Sequence, residues 1–198
     1  MNEEMAWVIR AQQGSDEAFT QLVEAYQTSV YNLCYRMLGE PEAAEDAAQE
    51  TFLRAYQHLN RYDPLRPFAT WLLSIAAHYC IDLRRRAKFS MISIDQEEEG
   101  RFQLRDARAS NPETETMHRE QRGQIQGLLK CLDAVDRAAI VMRYWQDYSE
   151  TEIAQSLNLT ASAVKSRLYR ARRELAGVWQ AGMARPEHER RLHESHVF

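Results

Sequence analysis

Apolar residues recur at helical spacing from Phe19 onward: Phe19, Leu22, Val23, Tyr26, Val30, Leu33, Cys34 and Met37 fall at i, i+3, i+4 and i+7. That period predicts one long helix with a single buried face. Gly39 and Pro41 end it and open the next helix. From Glu42 to Leu59 a second helix turns Ala48, Phe52, Ala55, Tyr56 and Leu59 inward and leaves Asp46, Gln49, Glu50 and Arg54 outward. The loop Arg61-Tyr62-Asp63-Pro64-Leu65-Arg66-Pro67 is barred from helix by its two prolines. A third helix follows, with Phe68, Trp71, Leu72, Ile75, Ala76 and Tyr79 spaced to pack, and runs into Arg84, Arg85 and Arg86. Between about Ala87 and His118 the period lapses into Ser, Asp, Glu and Pro112, the composition of a linker. A second compact unit begins near Gln121, where Ile125, Leu128, Leu129, Leu132, Ile140, Val141 and Tyr144 supply core. From about Gln180 the chain is polar and contains Pro186, which reads as a frayed or disordered tail. No segment reads as a strand and none repeats. The expectation is an all-α protein of two small helical domains, residues 1–88 and 119–179, joined by a flexible acidic linker over 89–118, with a tail over 180–198.

The stretch from Tyr148 to Leu175 carries the sharpest local signals. Ser149 with Glu152 three residues on forms a capping box, so a helix starts there and buries Ile153, Ala154 and Leu157. Asn158 ends it, because Asn tolerates the left-handed conformation of a tight turn, and Thr160 can accept the first free amides of the next helix. In that next helix Val164, Leu168, Ala171 and Leu175 share one stripe, while Ser162, Ser166, Tyr169, Arg170 and Arg173 lie opposite. Lys165, Arg167 and Arg172 flank the outer face, where long cations can reach phosphates. A capped helix, a short turn and a capped basic helix in that order predict a helix-turn-helix whose second helix reads DNA.

A net charge of -4 sits awkwardly with DNA binding until its distribution is followed. Residues 1–60 have only Arg10, Arg36 and Arg54 as cations; 61–91 are basic; 92–120 are acidic again, with Glu97, Glu98 and Glu99 in a row. Two basic patches separated by an acidic spacer predict two meetings with phosphate, and the acidic N-terminal surface predicts a protein partner. No apolar run approaches the roughly 20 residues needed to cross a bilayer. The N-terminus MNEEMAWVIR is acidic, unlike a signal peptide, so the expected location is the cytoplasm. Cys34, Cys80 and Cys131 have no metal-ligand spacing and read as small buried hydrophobes. His188, His193 and His196 lack a fourth ligand or an ordering scaffold, so no metal and no cofactor is expected. No phosphate-binding glycine loop, nucleophile elbow or carboxylate pair supports an enzyme.

Three segments in this order resemble the bacterial sigma factors of RNA polymerase, in particular the small extracytoplasmic-function group that keeps two domains. They are AEDAAQETFLRAY (Ala44 to Tyr56), PFATWLLSIAAHYCIDLRRR (Pro67 to Arg86) and RYWQDYSETEIAQSLNLTASAVKSRLYRARREL (Arg143 to Leu175). The resemblance implies that Asp46, Gln49, Glu50 and Arg54 grip the clamp helices of the largest subunit of core polymerase. It implies further that the loop Arg61 to Pro67, with Arg61, Tyr62, Asp63 and Arg66, holds a base flipped from the -10 element. Phe68 or Trp71 then lies near the unpaired edge, and Arg84, Arg85 and Arg86 lie on phosphates. The helix-turn-helix is expected to enter the major groove of the -35 element through Ser162, Lys165, Ser166, Tyr169, Arg170 and Arg173, with Lys165, Ser166 and Tyr169 toward base edges and Arg170 toward phosphate. The linker would thread toward the RNA exit path, the polymerase flap would be a partner besides the clamp helices, and an anti-sigma factor would control the whole.

Departures from the family pattern carry expectations too. Housekeeping sigma factors present two adjacent tryptophans as a melting wedge, whereas Trp71 is followed by Leu72, which shifts the burden of melting toward the loop. Asp133 stands where relatives often have Pro, and Asn158 where they have Gly, which leaves the helix starts there open. A stand-alone helix-turn-helix repressor would instead predict a dimer on a palindrome, and it has no use for the Asp46-x-x-Gln49-Glu50 segment or the aromatic helix ending in three arginines. A decoy that only occupies polymerase has no use for the basic outer face of the second helix.

Overall fold

The computed structural model describes residues 3–64, 66–94 and 123–183. They form eight α-helices: α1 (Glu3–Gln12), α2 (Asp16–Leu38), α3 (Pro41–His58), α4 (Phe68–Ile94), α5 (residues 123–131), α6 (Ala134–Trp145), α7 (Glu150–Leu157) and α8 (Ala161–Met183). A single 3₁₀ turn, Leu59–Arg61, follows α3.

Local chemistry sets most boundaries. Ser15 caps α2 by accepting from the Ala18 amide, and Gly39 closes the helix at φ 89°, its N–H bonded to Tyr35 O. That φ suits a residue without Cβ. Pro41 opens α3 with no side-chain cap before it. Asp133 caps α6 by accepting from the amides of Val135 and Asp136, which settles what stands in place of the family's proline. Ser149 and Glu152 complete the capping box of α7, Asn158 adopts φ 52°, and the Thr160 hydroxyl accepts from the Ala163 amide at the start of α8.

In the front unit α2, α3 and α4 bury Leu22, Leu33, Met37, Ala44, Ala47, Leu72 and Ala76 against one another. Helix α1, which the apolar period did not announce, adds Val8 and Ala11. Cys34 and Cys80 meet inside this core, where their mutual hydrogen bond and burial push the Cys80 thiol up and keep it inert. Cys131 is exposed, contrary to expectation. Tyr56 also lies on the surface, where its hydroxyl donates to Asp16 at 2.8 Å and its ring meets Phe19 edge-on. Ala55 and Leu59 are buried as expected and Ala48 and Phe52 pack half-buried against the core, while Ala44, Ala47 and Thr51 complete a stripe of small residues that lets α3 lie close on its neighbours.

Two expected boundaries move. Helix α4 continues to Ile94, past the anticipated linker start, and α8 continues to Met183, past the anticipated tail start. The rear unit is not separate from the front one. Helix α6 packs on α2 and α4, and α7 packs on α4, so the two units share a continuous core.

Candidate nucleic-acid and polymerase interfaces

The helix-turn-helix stands on a buried stripe of Val164, Leu168 and Ala171, with Ile153, Ala154 and Leu157 from α7 beneath it. This arrangement leaves Ser162, Lys165, Ser166, Tyr169, Arg170 and Arg173 exposed on one side of α8. The Ser166 hydroxyl donates to Ser162 O at 3.0 Å, and the Arg173 guanidinium lies 5.9 Å from the Tyr169 ring centroid. Arg167 does not flank this face as expected. It is paired with Asp136 at 2.6 Å and Asp133 at 3.6 Å, which fixes α8 to the start of α6. Arg172 lines a different feature, an apolar cavity of about 260 Å³ with Ile125, Leu128, Ile140, Tyr144 and Leu175. Ile125 and Tyr144, expected in the core, are exposed at its rim.

At the front unit, Asp46 and Gln49 are exposed on α3. Glu50 and Arg54 are half-buried and paired at 2.7 Å, and the Arg54 guanidinium sits over the Tyr79 ring at 4.4 Å. At 100° per residue Asp46, Gln49, Glu50 and Leu53 fall on one stripe, and Leu53 is 52% exposed. An exposed leucine ringed by polar groups has the anatomy of an interface centre and its rim. The sequence signal was present, since Leu53 interrupts an otherwise polar face.

The loop after α3 is held at several points. Gln12 of α1 donates its side-chain amide to Leu59 O at 2.9 Å and to Tyr62 O at 3.3 Å. The Tyr62 hydroxyl donates to Arg66 O, and the Arg66 amide bonds to Asp63 O at 3.0 Å. Arg61, Asp63 and Arg66 are exposed, while Leu65 lies outside the described residues. Two members of the expected base-reading set are corrected here. Tyr62 is 3% and Phe68 2% exposed, because their rings pack edge-on at 5.4 Å and Phe68 also meets Tyr26 at 5.5 Å. They are the floor of the loop. Trp71, against Tyr62 at 5.1 Å and Phe68 at 5.6 Å, is half-buried and is the ring of this cluster that reaches toward the surface.

Of the three arginines that end the basic run, Arg85 and Arg86 are exposed. Arg84 is a further correction: it turns away from solvent and donates to Met37 O at 3.2 Å and Leu132 O at 3.3 Å. Burial lowers its pKa from the ordinary value, which the nearby Asp133 partly offsets. Among the described residues no group of three or more His, Cys, Asp or Glu is placed to hold a metal, and no helix is long and apolar enough to cross a membrane. The linker from residue 95 and the histidines of the tail lie outside the described residues.

Comparison with known proteins fits this geometry. Residues 22–90 match the sigma-70 region 2 family, and residues 122–175 match sigma-70, region 4. The chain is 36% identical over 171 residues to the ECF RNA polymerase sigma factor SigW of Bacillus subtilis, an alignment covering 84% of this chain and 91% of SigW. It is 32% identical over 188 residues to the RNA polymerase sigma factor CnrH of Cupriavidus metallidurans, covering 91% and 98%. The structure of CnrH in complex with the cytosolic domain of CnrY superposes with a TM-score of 0.66 at 28% identity, over 89% of this chain and 96% of that one. The sigma factor RpoE of Bartonella quintana, solved with the anti-sigma factor NepR, shares the fold at a TM-score of 0.62 and 18% identity, over 82% and 96%. With both family regions present in order and relatives matched along nearly their whole length, the chain belongs to the extracytoplasmic-function family of RNA polymerase sigma factors.

Proposed function

We propose that the chain directs core RNA polymerase to a particular set of promoters through three separate surfaces, without covalent chemistry of its own. The α3 stripe of Asp46, Gln49, Glu50 and Leu53 meets the clamp helices of the largest subunit. Arg54 acts there by holding Glu50 in place. The loop of Arg61, Asp63 and Arg66, with Trp71 at its edge and Arg85 and Arg86 on phosphates, takes a base unstacked from the -10 element. The outer face of α8 enters the major groove of the -35 element, with Ser162, Lys165, Ser166 and Tyr169 toward base edges and Arg170 and Arg173 toward phosphate. The apolar cavity lined by Ile125, Leu128 and Tyr144 is the seat for the polymerase flap, because it is a small socket with an almost wholly apolar lining and two half-exposed apolar residues at its rim. Control by an anti-sigma factor is part of this reading, since two structural neighbours were solved with a bound partner.

The observation that carries the reading is the pinned loop. A repressor has no need of a tight, exposed, positively charged loop held by a hydrogen bond from another helix and floored by aromatic rings. Replacing Asp63 to Arg66 with Gly-Ser-Gly-Ser tests it: core binding and -35 duplex binding persist, and permanganate-reactive thymines at the -10 element disappear. A loop variant that opens a cognate promoter as wild type does would overturn the role given to the loop.

A further inference from the structure

Helix α1 lies ahead of residues 22–90, which carry the region 2 match, and it is joined to the loop given to the -10 element from two sides. Glu4, Val8 and Gln12 recur every four residues and so share one stripe of the helix. Val8 is fully buried in the front core and fixes that stripe in place. At one end of the stripe the Gln12 side-chain amide donates to Leu59 O at 2.9 Å and to Tyr62 O at 3.3 Å. At the other end Glu4 accepts from the Tyr26 hydroxyl, and the Tyr26 ring meets Phe68 at 5.5 Å, beside Tyr62. Burial, and then this bond, hold the Tyr26 hydroxyl well above its ordinary pKa, so it remains a donor.

The bonds from Gln12 depend on a primary amide. Its NH₂ carries two protons on one atom, and here each goes to a different carbonyl. Only Asn60 and Arg61 separate Leu59 from Tyr62, so one side chain brackets the turn from which the exposed Arg61 projects. The Tyr62 amide closes that turn on Leu59 O at 3.0 Å, and the Tyr62 hydroxyl carries the restraint on to Arg66 O. Gln12 itself stands on a fixed base. The Gly14 amide donates to Ala11 O and the Ser15 amide to Arg10 O, both at 3.0 Å, with Gly14 at φ 93°, the paired bonds of a left-handed helix end. Ser15 then caps α2, so the end of α1 is tied directly to the start of the next helix.

A helix that only added stability to the front unit would need no more than its apolar stripe. We propose that Gln12 is a positioning residue for strand opening: its amide sets the backbone from Leu59 to Tyr62, and thereby the aim of Arg61 at the unpaired strand, while Gln12 itself makes no contact with that strand. This role rests on the sigma-factor reading of the loop. A base is captured by groups that must already point the right way, and a backbone released over these residues has to be ordered at the moment of capture. Loss of the two bonds therefore falls on affinity for the single strand and spares the α3 stripe and the outer face of α8, which Gln12 does not touch.

The test uses the full chain assembled with core polymerase. The probe is a labelled non-template single strand from a promoter that the wild-type holoenzyme opens, read by fluorescence anisotropy, with permanganate reactivity of the -10 thymines as the second readout. Gln12→Ala and Gln12→Glu, the latter of nearly equal shape but able only to accept when ionised, are each expected to weaken strand binding about tenfold, equivalent to ~1.4 kcal/mol, and to reduce thymine reactivity. Core affinity and -35 duplex affinity stay at wild-type values. Gln12→Lys, which keeps donors at similar reach, is expected to recover most of the strand affinity. Ser15→Ala removes the cap of α2 and lowers the melting temperature, yet is expected to hold the strand as wild type does. Wild-type strand affinity in a folded Gln12→Ala chain overturns the role, and so does an equal loss in Ser15→Ala or in Gln12→Lys, which would trace the effect to general stability. The chain with Asp63 to Arg66 replaced by Gly-Ser-Gly-Ser is measured beside them. If it keeps the strand, the loop reading falls and Gln12 with it; if it loses the strand while Gln12→Ala keeps it, only the part given to Gln12 falls.

Discussion

Phe68 separates two accounts of the front unit, and replacing it with alanine decides between them. In the structure the ring is 2% exposed, with Tyr62, Tyr26 and Trp71 at centroid distances of 5.4, 5.5 and 5.6 Å. Emptying a buried phenylalanine site costs about 3–5 kcal/mol. Each aromatic pair adds ~0.5–1.5 kcal/mol beyond area, so three ring neighbours place this site in the upper half of that range. For a body of this size about 1 kcal/mol moves the melting point by ~2–4 °C, and Phe68→Ala is expected to melt roughly 10 °C or more below wild type. Phe68→Leu refills most of the volume but gives up the three ring contacts, so it should melt between wild type and Phe68→Ala, losing about 1.5–3 kcal/mol. Circular dichroism melts of the three chains give the comparison, and fluorescence anisotropy with a -10 single strand, at a temperature where all three are folded, gives the second readout. Phe68→Leu should bind the strand as wild type does. A Phe68→Ala chain melting within about 2 °C of wild type while losing the strand would show that the ring faces the nucleotide, and the burial argument would be wrong.

Other expectations follow from the same coordinates. Asp46→Ala with Gln49→Ala weakens core binding in a titrated pull-down, and Leu53→Ala does so more strongly, because an exposed apolar centre carries more binding energy than its rim; a Leu53→Ala chain with wild-type affinity would remove α3 from the interface. Lys165→Ala and Tyr169→Ala change which -35 bases are tolerated in a promoter library, at roughly 1–3 kcal/mol per lost base contact, whereas Arg170→Ala weakens all sequences alike and reduces the salt slope by about one. Identical preferences in all these variants would misplace the recognition helix. Ser149→Ala costs about 1 kcal/mol of stability near neutral pH. The bonds from the Ser149 hydroxyl and amide hold the Glu152 carboxyl below its ordinary value of 4.5, so this part of the stability is fully present above that value and is lost as pH falls through the lower folded one. The gap between wild type and Ser149→Ala should therefore narrow in acid urea melts, and a constant gap would show that the capping box is not what Glu152 feels.

The rear unit was legible in the sequence because its determinants are local. Ser149, Glu152, Asn158 and Thr160 act within three or four residues of themselves, and the stripe of Val164, Leu168 and Ala171 repeats at the helical period. Features that depend on distant partners were not legible. Arg84 and Arg137 belong to charged types that normally face water, and what buries them is a set of carbonyls 47 to 101 residues away. Arg167 looked like a phosphate contact until Asp136, 31 residues earlier, was seen to hold it. Helix α1 escaped notice because only Val8 and Ala11 of its ten residues are buried, too few to establish a period. Tyr62 and Phe68 show a different gap: spacing places a ring on a helix face or in a loop, and it does not say whether a neighbouring segment covers it.

Taken together, the missed features share a logic. The loop and polar positions of the front unit proposed to face DNA are short segments with little core of their own, so their geometry is set from behind by buried residues. Gln12 fixes the carbonyls at the start of the loop, Tyr62 ties its hydroxyl to Arg66 O, and Phe68 fills the space beneath. Capturing an unstacked base already costs a few kcal/mol. A floppy loop would add the entropy of ordering its backbone, about 1–2 kcal/mol per residue, and across the few residues from Asp63 to Arg66 that sum matches or exceeds the flipping cost itself. Rigidity supplied in advance by α1 and the aromatic floor removes that second term. On the proposed reading the loop then relies on stacking and phosphate contacts alone, which is consistent with Trp71 being followed by Leu72 rather than by a second tryptophan wedge.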